Sequence, residues 1–519
     1  MSPRSSFLLA AVGLLAACRE QPTALAPHTT PFSLETPAPF AVPPAPQRVK
    51  WRFRLAGDYS LHSPGVGADG TVYVSMSNGK LYAIAPDGTQ RWPAKAGLGG
   101  GAWGPVSVGA DGTIYVAGAV PTPGGGGSTG AIFAYTPAGT LKWKFDATNQ
   151  FIIAGPNVGP DGNIYAVVDY PGIGLFSLTP AGQLRFSTGT FIEYGALGTE
   201  IAFGSGQLYF AFDMRSTGFA PSLFGYDLNG NRRFQVQGTM DKARPAVGPN
   251  GNVVVQSFPT GVGLSLAAYT PAGALAWSFY EFPGNTEENP DVGPDNVAYT
   301  VRNLFHLFAF NPNGTEKWRY VDPVIMFEPR VRPQNDQLFM GGRINYGQPG
   351  FFLAVSTAGT PLWRVDLPDE PGFAPYGQLV PTTRPVFSPD GNTAYAVTDV
   401  AGDGSSSSPY SFLYAIDIST SSGGNTTPAV TLAATTPKTI NVGGSVSFRG
   451  SFTDPDAGDG PWSYKWAFGN GRVTGTATAP GTISATRTYT AAGTFKVVLR
   501  VTDARGAIGT SKAVTVRVQ

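Results

Sequence analysis

The side chains in this chain that could do chemistry form a short inventory. There is one cysteine, Cys18, and there are three histidines, His28, His62 and His306. A lone cysteine cannot close an internal disulfide or build a thiolate metal site, and three scattered imidazoles leave few choices for histidine-dependent catalysis. The densest acidic cluster is Asp454, Asp456 and Asp459, in the run DPDAGD. Those carboxylates could supply oxygen ligands to a calcium ion; equally, they make a solvated acidic turn. Asp69, Asp111, Asp161 and Asp390 each stand alone before a glycine. One carboxylate per turn is too few for calcium, so aspartate there is expected to bond its own backbone. The sequence contains no nucleophile elbow, phosphate-binding loop, dinucleotide fingerprint or zinc-protease helix. The glycine run Gly124–Gly127 precedes a strand, not a helix, and reads as a hairpin tip.

Charge excludes a further class. Lys and Arg total 35 against 34 Asp and Glu, and charged residues make up only 13% of the 519. No basic stretch is dense enough to recruit nucleic acid, and no acidic tail stands out.

Any site must be positioned by the repeats that fill most of the chain. Residues 63–92, SPGVGADGTVYVSMSNGKLYAIAPDGTQRW, contain one whole unit. Asp69-Gly70, Asn78-Gly79 and Asp87-Gly88 are turn signals, and between them lie β-branched and aromatic runs. The spacing predicts four short antiparallel strands, the last of them Thr89–Trp92. Related second strands (TVYV, TIYV, NIYA, QLYF, NVVV, VAYT, QLFM, TAYA) mark eight units over residues 49–420. A blade-sized period of this kind predicts an all-β, eight-bladed β-propeller. Fourth strands carry Trp92, Trp143, Phe186, Phe234, Trp277, Trp318 and Trp363, but the eighth unit runs into a Ser/Gly-rich linker without one. Residues 51–55, WRFRL, precede the first unit and supply the missing strand. The expectation is that they pair with residues 411–418 and close the ring.

In a propeller the default binding site is the axial mouth. Residues just before or on the first strands should line it. By repeat alignment these are His62, Trp103 and Asn157, then Glu200, Arg244 and Asn289, then Glu328, Arg330 and Arg384. Three arginines face two glutamates. Either they neutralise one another, or the arginine forks hold an anionic or polar ligand such as a peptide terminus or an acidic sugar.

Frames such as Leu81-Tyr82-Ala83 with Gly88 and Trp92, and Leu307-Phe308-Ala309 with Gly314 and Trp318, resemble the PQQ-like (quinoprotein-like) β-propeller repeat family. The resemblance implies the fold over about residues 49–420, and it covers both redox enzymes and non-catalytic scaffolds. The quinone enzymes of that family hold the cofactor on a tryptophan floor, often under a disulfide of neighbouring cysteines, with a calcium ion beside it. This chain lacks the cysteines, and its fourth-strand aromatics read as blade packing, which speaks against PQQ as a cofactor. Trp103 alone stands where loops converge on the axis.

Both ends carry further resemblances. Leu15-Ala16-Ala17-Cys18, after Arg4 and an apolar run, resembles the lipobox of bacterial lipoproteins, which implies cleavage before Cys18 and its lipidation. Residues 19–48 are Pro-rich and read as a tether. After a linker at 421–428, residues 429–519 change pattern. Trp466-Ala467-Phe468-Gly469-Asn470-Gly471, Tyr489, Gly493–Val497 and Val501-Thr502-Asp503 resemble a PKD domain, an Ig-like β-sandwich, although Ala467 and Asn470 stand where that family usually has Asp. Trp466, Phe468, Phe495 and Leu499 should fill its core.

The reading is a monomeric lipoprotein of the bacterial cell envelope, at the outer membrane, the cell surface or its periplasmic face. Its propeller and PKD-like module would bind envelope or extracellular proteins or polysaccharide without bond-making, and it would need no cofactor unless calcium binds. A propeller lipoprotein of outer-membrane protein assembly is one relative by resemblance, but the appended PKD-like module departs from that pattern. The alternatives are a PQQ-dependent oxidoreductase of alcohols or sugars, and a carbohydrate-binding surface protein.

Overall fold

The structure is a computed structural model. It describes residues 48–56, 62–99, 104–121, 128–147, 150–169, 174–188, 200–212, 222–237, 244–257, 265–280, 288–322, 324–344, 350–368, 379–400, 410–419, 428–434, 438–454, 461–503 and 508–519. The lipobox, the tether as far as residue 47, and Trp103 lie outside these residues. Among the described residues there are only strands and turns, with no α-helix, and so no helix long and apolar enough to cross a membrane.

Among the described residues between Val49 and Asp417 the strands form eight antiparallel sheets, most of four strands in consecutive order, as in propeller blades. The second sheet is representative: Ser107–Val108, Ile114–Pro121, Ser128–Tyr135 and Leu141–Ala147 pair in that sequence. Its middle strands are buried on both faces, with Ile114, Tyr115, Val116 and Ala117 all at 1% exposure or less. Only sheets covered on both sides give such unbroken apolar runs. The covering layers are the neighbouring sheets. Phe339 and Phe352 of the seventh sheet share a cluster with Phe412 and Tyr414 of the eighth. Tyr395 and Leu413 of the eighth pack with Val72 and Val74 of the first.

The last sheet takes its outer strand from the other end of the described chain. Val49–Ala56 pairs antiparallel with Tyr410–Asp417, Phe53 lying opposite Leu413 and Leu55 opposite Ser411.

The rim shows why one aromatic recurs in each unit. Trp92 of the first sheet packs on Gly139 in the outer turn of the second, and its Nε1 donates to Pro137 O at 3.2 Å. Trp51, Trp143, Trp277 and Trp318 pack in the same way on Gly88, Gly182, Gly314 and Gly359, and Phe186 and Phe234 on Gly230 and Gly273. At Gly314 the backbone has φ +84°, and a Cβ there would lie 2.7 Å from Trp277. A side chain at that position would be strained by the turn and would collide with the ring. Trp363 faces the sheet whose outer strand arrives from the N-terminus and so has no such turn to dock on. Arg48 covers it instead, its guanidinium 4.6 Å from the ring centroid, while Nη1 donates to Asp417 O at 3.0 Å and Ser419 O at 3.3 Å. The indoles are thus packing groups between blades.

One expected strand does not form. Thr89–Trp92 makes only isolated bridges, Gln90 with Ile84 and, further on, Lys95 with Leu81. Pro93 offers no N–H to continue a ladder. The segment instead crosses to the second sheet, where Leu98 is fully buried and its carbonyl accepts from Ala119 N at 2.7 Å.

The C-terminal residues form two further sheets. One holds Ala429–Ala434, Ser445–Thr453 and Gly481–Thr488; the other holds Thr439–Ile440, Val514–Val518, Gly493–Thr502, Trp462–Ala467 and Arg472–Ala477, with Ile508–Thr510 at the side of Gly493–Thr502. Trp466, Phe468 and Leu499 are buried between them, and Phe495 packs half-buried at the margin. Tyr489, fully buried, donates its hydroxyl to Phe468 O at 3.4 Å.

Candidate functional site at the propeller axis

The short first strands of neighbouring sheets touch and surround a common centre. Glu200, Arg244, Asn289, Glu328 and Arg384 each lie two residues ahead of such a strand, as does Ser63 beside His62. The fold therefore brings one polar residue from each of six sheets to the same level, while the second and third sheets place Pro105 and Gly155 there. They meet across the ring: Ser63 Oγ donates to Glu200 Oε1 at 2.8 Å, although the two lie on the first and fourth sheets. Arg244 stands 3.0 Å from Glu328 and 3.6 Å from Glu200. Arg384 reaches Glu200 at 3.8 Å and Glu328 at 3.9 Å. Asn289 joins the group by accepting Arg244 N–H at 2.6 Å and donating Nδ2–H to Glu328.

A second tier lies on the strands themselves. Asn157, Asp291 and Arg330 occupy one register position, paired with Tyr165, Tyr299 and Phe339. Asp291 accepts from Arg384 Nη2 at 2.9 Å, from Val331 N at 2.8 Å and from Arg330 Nη1 at 3.4 Å. Asn157 Oδ1 accepts from Ile201 N at 3.3 Å.

Ser63, Asp291 and Glu288 are missing from the sequence-derived set, which has His62 where the register places Ser63. Asp291 aligns with Asn157 and Arg330, so the repeat register carried a signal for it. Glu288 immediately precedes Asn289 and carries no periodic mark.

Burial and charge decide the protonation states. Burial pushes Glu200 up, but Arg244 and Arg384 outweigh it and hold the carboxyl at about 2. Burial, with Glu328 adding repulsion, raises Glu288 to about 8, so it is a neutral acid at pH 7. Burial and Arg244 lower His62 to about 4, which keeps the imidazole neutral. Burial, then repulsion from Arg330, lowers Arg384. At neutral pH Glu200 is thus an anion held between Arg244 and Arg384, while Glu288 and His62 are uncharged.

Beyond these tiers, toward the ends of the first strands, the centre opens into a cavity of about 510 Å³. Its walls include Phe203, Val247, Val292, Val331 and Phe387, its rim Pro249 and Pro333, and its lining also Asp291 and Arg330.

The solitary turn aspartates bond their own backbones. Thr71, Thr113, Asn163 and Asn392 donate backbone N–H to Asp69, Asp111, Asp161 and Asp390 at 2.9–3.2 Å. In the DPDAGD run only Asp454 is described, and it accepts from Trp462 Nε1 at 2.8 Å; Asp456 and Asp459 lie outside the described residues. Among the described residues no three His, Cys, Asp or Glu side chains are grouped to hold a metal ion.

Comparison with known proteins separates the two parts. No curated protein matches the chain. Its solved structural neighbours include BamB from Moraxella catarrhalis, at 16% identity over 55% of this chain and 82% of that one, TM-score 0.41. The C-terminal WD40 domain of Sif2 is another, at 11% identity over 71% of this chain and 99% of that one, TM-score 0.47. A third is the PKD domain of an M14-like peptidase from a Thermoplasmatales archaeon, at 19% identity over 18% of this chain and 98% of that one, TM-score 0.16. Residues 425–518 match the PKD domain family.

Proposed function

We propose that the chain is a lipid-anchored protein of the bacterial cell envelope. Residues 49–420 would act as an eight-bladed, non-catalytic binding scaffold and residues 429–519 as a PKD-like spacer or second binding surface. The observation that carries the scaffold reading is the composition of the axis. Arg244 and Arg384 are matched by Glu200, Glu328 and Asp291 at 2.9–3.9 Å, so the polar groups of the two tiers stabilise one another. The indoles, which could have stacked on a cofactor, are engaged between blades. A rigid ring of this kind presents loops and blade edges to partners. The position of Cys18 after Leu15-Ala16-Ala17 supports the anchor.

Crosslinking in intact envelopes followed by capture of the full-length lipidated protein tests the scaffold reading. Discrete protein or polysaccharide adducts are expected. Dye-linked oxidation of an alcohol or sugar after loading with PQQ and calcium would overturn it. Fatty-acid labelling tests the anchor: label should enter the wild type and vanish in Cys18→Ala.

A further inference from the structure

We propose that the axial cavity on the side of Arg330 is a carboxylate-binding pocket, taking a small carboxylic acid with a branched apolar tail or the C-terminal end of a peptide. The basis is the contrast between two arginines two residues apart. Arg332 is 2% exposed and its guanidinium is engaged: Nε with Gly391 O at 2.7 Å, Nη1 with Asp336 at 2.7 Å, Nη2 with Asn392 Oδ1 at 2.6 Å. Arg330 is not. Its side chain is 31% exposed, and its one hydrogen bond among the described residues is the 3.4 Å contact with Asp291 Oδ1. That oxygen already accepts the shorter bond from Arg384, and Asp291 Oδ2 is taken by Val331 N–H. Arg330 Nε is buried without an acceptor. Two guanidiniums therefore share one carboxylate oxygen at the floor of the cavity, and the more exposed one keeps most of its donors unspent.

A guanidinium in that condition is matched by a carboxylate, which offers two acceptor oxygens to its fork. The walls select what the carboxylate is attached to. Phe203, Val247, Val292, Val331 and Phe387 line the open recess beside the charge with apolar surface. The cavity volume, about 510 Å³, suits a small ligand. Arg330 also lies 6.0 Å from the Phe387 ring, so the apolar wall adjoins the charge. This inference is independent of the scaffold reading, because it concerns the purified protein and a small molecule; either can fail while the other stands.

Calorimetric titration of the purified protein with isovalerate, its neutral amide isovaleramide, and N-acetyl-valine as a peptide-end mimic tests it. The acids should bind, with the amide weaker by about tenfold or more, and Arg330→Gln should weaken the acids by a similar factor. Stronger binding of N-acetyl-valine would identify a peptide end as the source, and stronger binding of isovalerate a free acid. Pro333→Trp, at the exposed rim, should block entry while leaving Arg330 in place. It decides the matter if Arg330→Gln fails to fold. Equal binding of acid and amide, unchanged binding in both variants, or no binding of either acid at tens of millimolar would overturn the proposal.

Discussion

The rim and the axis of the blade ring are built on opposite principles. At the rim one contact recurs: an aromatic ring from one sheet lies on a glycine turn of the next, from Trp51 on Gly88 to Trp318 on Gly359. At the axis no single residue recurs in every sheet. The residue two places before each first strand is Glu200 in one sheet, Arg244 in the next and Asn289 after that. Repetition works at the rim because every blade meets its neighbour with the same geometry. At the axis the side chains of all blades converge on one point, and identical residues would place like charges together. Glu200 and Arg384, four sheets apart, satisfy each other only because they differ.

Five perturbations would break or sharpen this contrast. The largest effect belongs to ring closure. Deleting residues 49–56 strips the outer strand from the last sheet, uncovers Leu413 and Leu55's site against the first sheet, removes the Trp51 contact with Gly88 and takes away the strand that seats Arg48 on Trp363. The propeller transition in calorimetry should fall well below that of any point variant or lose its cooperativity; an unchanged melt would show that the ring does not depend on this strand.

Next come single contacts of each kind. Trp277→Ala at the rim should cost about 3–5 kcal/mol by denaturant unfolding, since the ring is 6% exposed and fills the space over Gly314. Arg384→Leu at the axis should cost a comparable 3–5 kcal/mol for a different reason, because Asp291 would lose its 2.9 Å partner and keep only the longer Arg330 contact, and Glu200 would keep only Arg244. Restoring neutrality distinguishes the two: Arg384→Leu with Asp291→Asn should recover part of the loss, whereas no charge change should rescue Trp277→Ala.

A smaller effect is written in pH. Glu200 in the fold sits at about 2 against its ordinary 4.5, and His62 at about 4 against 6.5. Both are lowered, so the stability they contribute is present above their ordinary values and is lost as pH falls through the folded ones. Glu288 is raised from 4.5 to about 8, so the fold keeps a proton that the unfolded chain releases. Stability from this group therefore falls as pH rises from 4.5 to 8 and then levels off. Glu288→Gln should leave the melting temperature nearly unchanged at pH 4.5 and raise it increasingly toward pH 8, by a few degrees. A constant offset across pH would contradict the buried neutral acid.

The smallest effect belongs to the repeated turns. Asp111→Ala removes bonds from the Thr113 hydroxyl and backbone, at 2.7 and 2.9 Å, in an exposed loop. A loss of about 1 kcal/mol is expected. Calcium should leave the melt of this variant and the wild type equally unaffected, since the carboxylate is occupied by its own turn.

Much of the rim was legible in the sequence because its contacts are local and periodic. Asp-Gly turns, β-branched second strands and the aromatic four residues after each outer-turn glycine repeat at fixed offsets, and Tyr489 with Trp466 and Phe468 marked the second domain. Legibility failed where periodicity met a single departure. Pro93 removed the fourth strand of the first sheet, and the sequence carried that proline in plain view, but not that Leu98 would find its place on the neighbouring sheet. At the axis most members of the first tier could be named by alignment, with His62 taken in place of Ser63; their partners could not. Asp291 was overlooked although it shares a register with Arg330, because only the folded ring shows that Arg330 and Arg384 compete for it.

By itself the sequence determined strand order, turn chemistry, the orphan strand that closes the last sheet and the positions that point to the centre. All of these follow from neighbours close in the chain and from a repeated unit. Only the tertiary structure decided which charges pair, that Glu288 and His62 are neutral at pH 7, and that Arg332 is spent while Arg330 is not. Those outcomes depend on distances between residues on different sheets, and hydration and charge are settled by what the whole ring brings within a few ångströms.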